Sequence, residues 1–340
     1  MVTALALTDI ALVTMLSPNM ETIKIVEVPS DVGGYSIGPA KAPEAILKAG
    51  LARKLQDAGY RVTSVQALEQ PRQYTANMTW EGSRAEKSVL NVMTEVFNTL
   101  MTPLPPACIP LVLGGDSSIT PAVMAAVVRQ YEGEKVGILY VDGDPCLDVP
   151  EECRLIGHTG TGTLNSMVVS HLTHRQGCLE SIQQRFSRPD RSPLANHENI
   201  YLWGMDPRLA SRLHFAYLLD NGIRCLTYEG ARDCDLNKPR PREWMEERVD
   251  RFIVHFSANI WNAGIVPLAN VPRHHGLNFQ QGMAPLKNCL GSEKLAGLVI
   301  TEVDPSHDPL GKVLEKFVDG LVFTFKMRKD ERERRESGSS

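Results

Sequence analysis

LVLGGDSSITPAVM, Leu111 to Met124, is the stretch that decides the fold. Apolar residues run into two glycines, an acid and two serines, and a helix-forming segment follows. A second unit of the same kind follows shortly after, GILYVDGDPCLDVP, Gly137 to Pro150. An apolar run that empties into small and acidic residues reads as a buried parallel strand ending in a functional loop. Open α/β sheets bind ligands in the crevice beyond the carboxyl ends of such strands. Ser117, Ser118, Asp142, Asp144 and Cys146 are therefore expected around one pocket.

The same alternation extends along the chain. TIKIVEVPSD (Thr22 to Asp31) reads as the first strand, and PEAILKAGLARKLQDAGY as a helix that stops at Gly59. RVTSVQAL is the next strand candidate, and TWEGSRAEKSVLNVMTEVFNTLM is a long helix closed by Pro103, Pro105 and Pro106. Later strands are read in NIYLWGMDPR, IRCLTYEGA, RFIVHFSANIWNAGIVP and KLAGLVITEVDP, with helices between them and LGKVLEKFVDGLVFTF closing the fold. No composition break or repeat interrupts the pattern. It predicts one three-layer αβα domain with a mainly parallel sheet over residues 21–327. Residues 1–20 are expected to be a flexible extension, and the mixed-charge segment 328–340 a disordered tail.

The chain has 340 residues and a formal net charge of −4, which gives no electrostatic footprint for nucleic acid. No stretch is apolar and long enough to span a bilayer, and Asp9 with the lack of a basic leader argues against a signal peptide. Seven scattered cysteines, an odd number, fit reduced thiols and a cytoplasmic location. The loop DVGGYSIGPAKAP lacks the GxGxxG order of a dinucleotide site.

Four strand ends carry the polar groups: GGDSS, DGDPCLD, SANIWN and TEVDP. In their order and flanking strands these stretches resemble the arginase and agmatinase family, the ureohydrolases, whose motifs read GGDHS, DAHxD, SxDxD and E-V-N/D-P. The resemblance runs from IKIVEVPSDVGGYSIGPAKAPEAI to KLAGLVITEVDP. It implies an arginase-like fold and, in the family, two manganese ions whose bridging hydroxide attacks a guanidinium carbon. Here Ser117 stands for the first histidine ligand, Asp144 and Cys146 replace a histidine and an aspartate, and Asn259 and Trp261 replace two aspartates. Of the implied ligands only Asp142 is kept. Glu302 matches the glutamate that grips the guanidinium, His158 lies near the proton-shuttling histidine, and Asp148 replaces an asparagine that holds the amino-acid end of the substrate. Homo-oligomers, trimers or hexamers, are implied as well.

Hard divalent ions need several anionic or imidazole ligands. Ser117 and Asn259 are weak ligands, and Trp261 has no lone pair to offer. The sequence therefore predicts no metal and no cofactor, and without metal the pKa of water stays too high to supply hydroxide at neutral pH. Asp142 and Asp144, crowded without cations, are expected to share a proton and act as acid and base. Cys146 is the candidate nucleophile with His158 as its base, against a bland reading as an inert thiol. Ser117, Asp148, Asn259 and Glu302 are expected to bind substrate, and Trp261 is either filler or a platform for a flat or cationic ligand. His255 reads as a satisfied core residue, and one of His274 and His275 as exposed. The predicted function is metal-independent acid/base chemistry on a small amine-containing or aromatic metabolite. The alternatives are a non-catalytic binding or regulatory subunit in a homotrimer or other homo-oligomer, and a residual guanidine or amidine hydrolase.

Overall fold

The computed structural model describes residues 20–75, 83–154, 161–233 and 241–338. Eight strands form one sheet: β1 (Thr22–Val28), β2 (Arg61–Gln66), β3 (Cys108–Gly114), β4 (Val136–Val141), β5 (Ile200–Met205), β6 (Arg224–Thr227), β7 (Arg251–Ser257) and β8 (Leu295–Thr301). Their order is β2-β1-β3-β8-β7-β4-β5-β6, and every pairing is parallel. The central strands β3, β4, β7 and β8 are buried almost end to end, as a sheet covered on both faces requires.

The covering helices are α1 (Ala42–Lys48), α2 (Leu51–Asp57), α3 (Glu86–Leu100), α4 (Thr120–Gln130), α5 (Val168–Thr173), α6 (Glu180–Arg185), α7 (Arg212–Asp220), α8 (Tyr228–Arg232), α9 (Pro241–Arg248), α10 (Phe279–Cys289) and α11 (Lys312–Gly338). Apolar residues form two cores, one on each side of the sheet. One holds Leu113, Val141, Phe256, Ile300, Met283 and Phe317, and the other holds Val112, Tyr140, Val123, Val96 and Val299. Alternate residues of one strand, such as Val112 and Leu113, serve opposite cores, the period-two logic of a pleated strand.

Two local readings are corrected. The helix read through Gly59 is broken into α1 and α2 at Gly50, which adopts φ 91. Residues 328–338 of the segment expected to be a disordered tail are the last part of α11, a 27-residue helix. Its Arg328 is buried, pairs with Glu21 at 2.6 Å and donates to the Leu290 and Ser292 carbonyls. A buried guanidinium with an anion and two carbonyls holds the helix on the domain well past its apolar stretch. Residues 1–19, expected to form an extension, lie outside the described residues.

Candidate functional site

The carboxyl ends of four consecutive strands, β3, β8, β7 and β4, carry Ser117, Glu302, Asn259 and Asp142 respectively. Close packing builds this edge. A side chain at Gly115 would meet the Ser30 carbonyl oxygen at 1.6 Å, so only glycine lets the β3 loop pass under the β1 loop. Above the edge lies a cavity of about 560 Å³, lined among others by Ser117, Asp144, Cys146, Asp148 and Asn259. The structure thus gathers five of the residues selected from sequence.

Glu302 is not one of the cavity-lining groups. Its side chain is 0% exposed and its backbone adopts φ 59. Oε1 accepts from Ser117 N at 2.8 Å, Ser117 Oγ at 3.1 Å and Asn165 Nδ2 at 3.2 Å, and Oε2 accepts from Asn270 Nδ2 at 3.0 Å. The expected grip on a substrate is therefore corrected: neutral donors of this chain already occupy the carboxylate. Glu302 ties the ends of β3 and β8 to the loops carrying Asn165 and Asn270.

Of its two readings, Trp261 takes that of filler. It is 0% exposed, and its side chain sits in the core, stacked on Phe279 and edge-on to Phe256 and Phe317. The indole occupies space above Gly282, where a methyl group would lie 2.2 Å from its Nε1. It neither lines the cavity nor offers a stacking platform there.

Asp142 lies buried beneath the cavity, where Oδ1 accepts the Asp144 N–H at 2.9 Å. Burial, and then the charge of Asp144, raise its carboxyl to about 8. Asp116, which caps the turn after β3, is raised to about 7 by burial and then by Glu302. Asp144 itself faces the cavity and carries a partner that sequence reading missed: Arg273 Nη2 donates to its Oδ2 at 3.0 Å. Burial pulls the Arg273 guanidinium down, but the charge and hydrogen bond of Asp144 outweigh it and hold it above its ordinary value. Its Nη1 is buried without a partner. A cluster of acids short of metal ligands calls for a resident cation, and that charge-balance argument was the available signal. The PRHHG loop drew notice for His274 and His275, both of which are exposed, rather than for the arginine before them.

Cys146 has φ 48, and its thiol lies 3.9 Å from Asp142 Oδ2. Burial, and then Asp142, push the thiol well above its ordinary value. That is the opposite of what an activated nucleophile needs, and it agrees with the reading of Cys146 as an inert thiol. His158, its expected base, lies outside the described residues. His255 is a core residue, as read. It pairs with Thr120 at 2.8 Å and stacks on Tyr140 at 4.2 Å, and burial lowers it to about 3.

The opposite wall was also missed. His214, in the first turn of α7, forms a capping box with Ser211. Its Nδ1 accepts the Ser211 N–H at 3.3 Å, which leaves the ring hydrogen on Nε2, 3.3 Å from Asp148 Oδ1. Behind it Arg175 pairs with both oxygens of Glu152, at 2.7 and 2.5 Å. The S-x-x-H spacing before an apolar helix was the legible cue. Among the described residues no three His, Cys, Asp or Glu side chains converge as metal donors.

Comparison with known proteins agrees with this architecture. A sequence model of the arginase family matches residues 21–321. The arginase of Staphylococcus aureus (strain COL) is 24% identical over 315 residues, which cover 90% of this chain and 97% of that protein. The arginase of Bacillus subtilis (strain 168) is 28% identical over 313 residues, 89% of this chain and 98% of the relative. The crystal structure of Entamoeba histolytica arginase in complex with L-ornithine superposes with a TM-score of 0.77 at 17% identity, covering 90% of this chain and 98% of that one. A match that spans the sheet and all four functional strand ends shows that the chain belongs to the arginase family.

Proposed function

We propose that this arginase-family chain works without metal and binds a small amine-containing metabolite in the cavity rather than hydrolysing a guanidine. The observation that carries the reading is the Arg273–Asp144 ion pair, 3.0 Å long, beside the buried Asp142. A two-manganese centre needs several hard donors on one focus. The donors here do not fit it. Ser117 is engaged with Glu302, Trp261 is turned into the core, and a fixed guanidinium stands among the acids. Arg273 supplies the positive charge that ions supply in such a cluster, and it cannot polarise water as a metal does. With Trp261 in the core, the aromatic-ligand half of the expectation loses the side chain it rested on, so the amine half is retained.

Acid/base catalysis is the second reading. One observation favours it: the Asp142 carboxyl, which accepts the Asp144 backbone N–H at 2.9 Å, lies next to an acid that lines the cavity. A homotrimer or other homo-oligomer and a cytoplasmic location belong to the same proposal, on family resemblance and cysteine usage. No helix among the described residues is long and apolar enough to cross a membrane.

The test is elemental analysis of the purified full-length protein together with urea release from arginine and agmatine under added Mn²⁺. Substoichiometric manganese and no urea are expected. Two ions per chain, or Mn²⁺-dependent urea release that vanishes in Asp142→Ala, would refute the reading.

A further inference from the structure

Among the described residues, charge pairing leaves one carboxylate of the cavity wall without a Lys or Arg partner. Arg273 is engaged with Asp144, Arg208 pairs with Asp206 at 2.8 and 2.7 Å, and Arg175 holds Glu152. Asp148 also lines the cavity, and its side chain is 13% exposed. Among the described residues it has no Lys or Arg partner, and its one side-chain neighbour of basic type is His214. That ring accepts a backbone N–H on Nδ1, and its Nε2 is shared between Asp148 Oδ1 at 3.3 Å and Glu152 Oε2 at 3.6 Å. A largely buried carboxylate without a counter-charge costs free energy that a ligand cation recovers.

A second, independent feature lines the same cavity. Asn259 is 7% exposed, lines the cavity, and its Oδ1 is buried with no partner. Buried polar atoms in native proteins have partners, and exceptions at a cavity wall mark where a ligand's group belongs. The carboxylate and the amide oxygen are both acceptors, and the unpartnered donor of the same wall, Arg273 Nη1, belongs to a guanidinium whose charge Asp144 already balances. A ligand that satisfies both carries donors and positive charge. The three arginines near the cavity already have their carboxylates, which disfavours an anionic ligand.

We infer that Asp148 and Asn259 form a binding site for a small aliphatic amine with a second N–H donor, a diamine in the simplest case, with the ammonium on Asp148 and the second donor on Asn259 Oδ1. This rests on the metal-independent reading above and names the ligand class of that same cavity.

The test is titration calorimetry and thermal shift of the full-length protein in chelator, with 1,3-diaminopropane and 1,5-diaminopentane as probes. Pentylamine, 1,5-pentanediol and glutarate are the controls. At least one diamine binds, pentylamine binds roughly tenfold more weakly, and the diol and glutarate do not bind. Asp148→Asn weakens the diamine by about tenfold or more, and Asn259→Ala brings it down to the level of pentylamine. An unchanged melting temperature of each free variant shows that folding is intact, and where a variant fails to fold, the ranking of diamine over pentylamine, diol and glutarate on the unsubstituted protein decides the assignment. No binding of either diamine, equal binding by Asp148→Asn, or preferential binding of glutarate overturns the assignment. Diamine binding that appears only with Mn²⁺ and still needs Asp148 overturns the metal-independent reading instead and leaves the site standing.

Discussion

Arg273 shows how one residue changes what a cluster of acids is for. Asp142, Asp144 and Glu302 together look like a cation trap in the sequence. In the fold, the trap is filled from within at one acid and by amide and hydroxyl donors at another. Removing the guanidinium should therefore destabilise the protein. Arg273→Ala is expected to cost about 1–3 kcal/mol in urea unfolding, the size of a charge-assisted hydrogen bond in a partly buried site. Asp144→Asn in the same background should cost less than it does alone, because the charge it removes no longer has a partner. Additive losses would mean that the pair is not coupled. Asp142 and Cys146 tell the complementary story at this scale. Both read as reactive groups from the sequence, and burial raises the carboxyl and the thiol alike, which spacing cannot reveal.

At the scale of elements, Trp261, which the family resemblance sets at the place of an aspartate, is matched by Gly282 on α10. The indole fills the volume a side chain there would need. Gly282→Ala is expected to cost about 1–3 kcal/mol through overpacking. The Trp261→Leu, Gly282→Ala double variant should be more stable than the sum of the two single losses, and unfolding by denaturant measures both. α11 gives a second prediction. If its last turns were a loose tail, deleting 328–340 would be silent. With Arg328 bridging Glu21 and two carbonyls, that deletion should cost about 3–5 kcal/mol, as loss of one partner of a buried pair does. Deleting only 334–340 should change the melting temperature little, since Arg334 and the residues beyond it make exposed, helix-local or rim contacts. The sequence failed here because a charge run reads as solvated until a buried anion is found opposite one of its members.

For the whole molecule, buried histidines set the response to acid. Burial lowers His255 to about 3 and His171 to about 4, both below the ordinary imidazole value of 6.5. As pH falls below 6.5 the unfolded chain takes up these protons before the folded one, so stability is lost through that window and recovered above it. His255→Gln should flatten the acid limb by on the order of 2 kcal/mol between about pH 6.5 and 4.5. An identical pH profile for the variant would show that His255 does not titrate as its burial demands.

The amino-acid pattern alone determined the alternation of strands and helices, the parallel sheet, the four polar strand ends and the family they resemble. These are local signals: apolar runs for buried strands, glycines where backbones cross, polar residues where strands stop. It also identified His255 as a core residue, from its place in an apolar strand. Only the tertiary structure decided which side chains face the cavity. Ser117, Asp144, Cys146, Asp148 and Asn259 do; Trp261 and Glu302 do not. It also brought Arg273 to Asp144 from 129 positions away and His214 to Asp148 across 66 positions. The physical reason is that a side chain's direction and counter-charge are set by packing between segments distant in the chain, and no spacing rule within a motif carries that information.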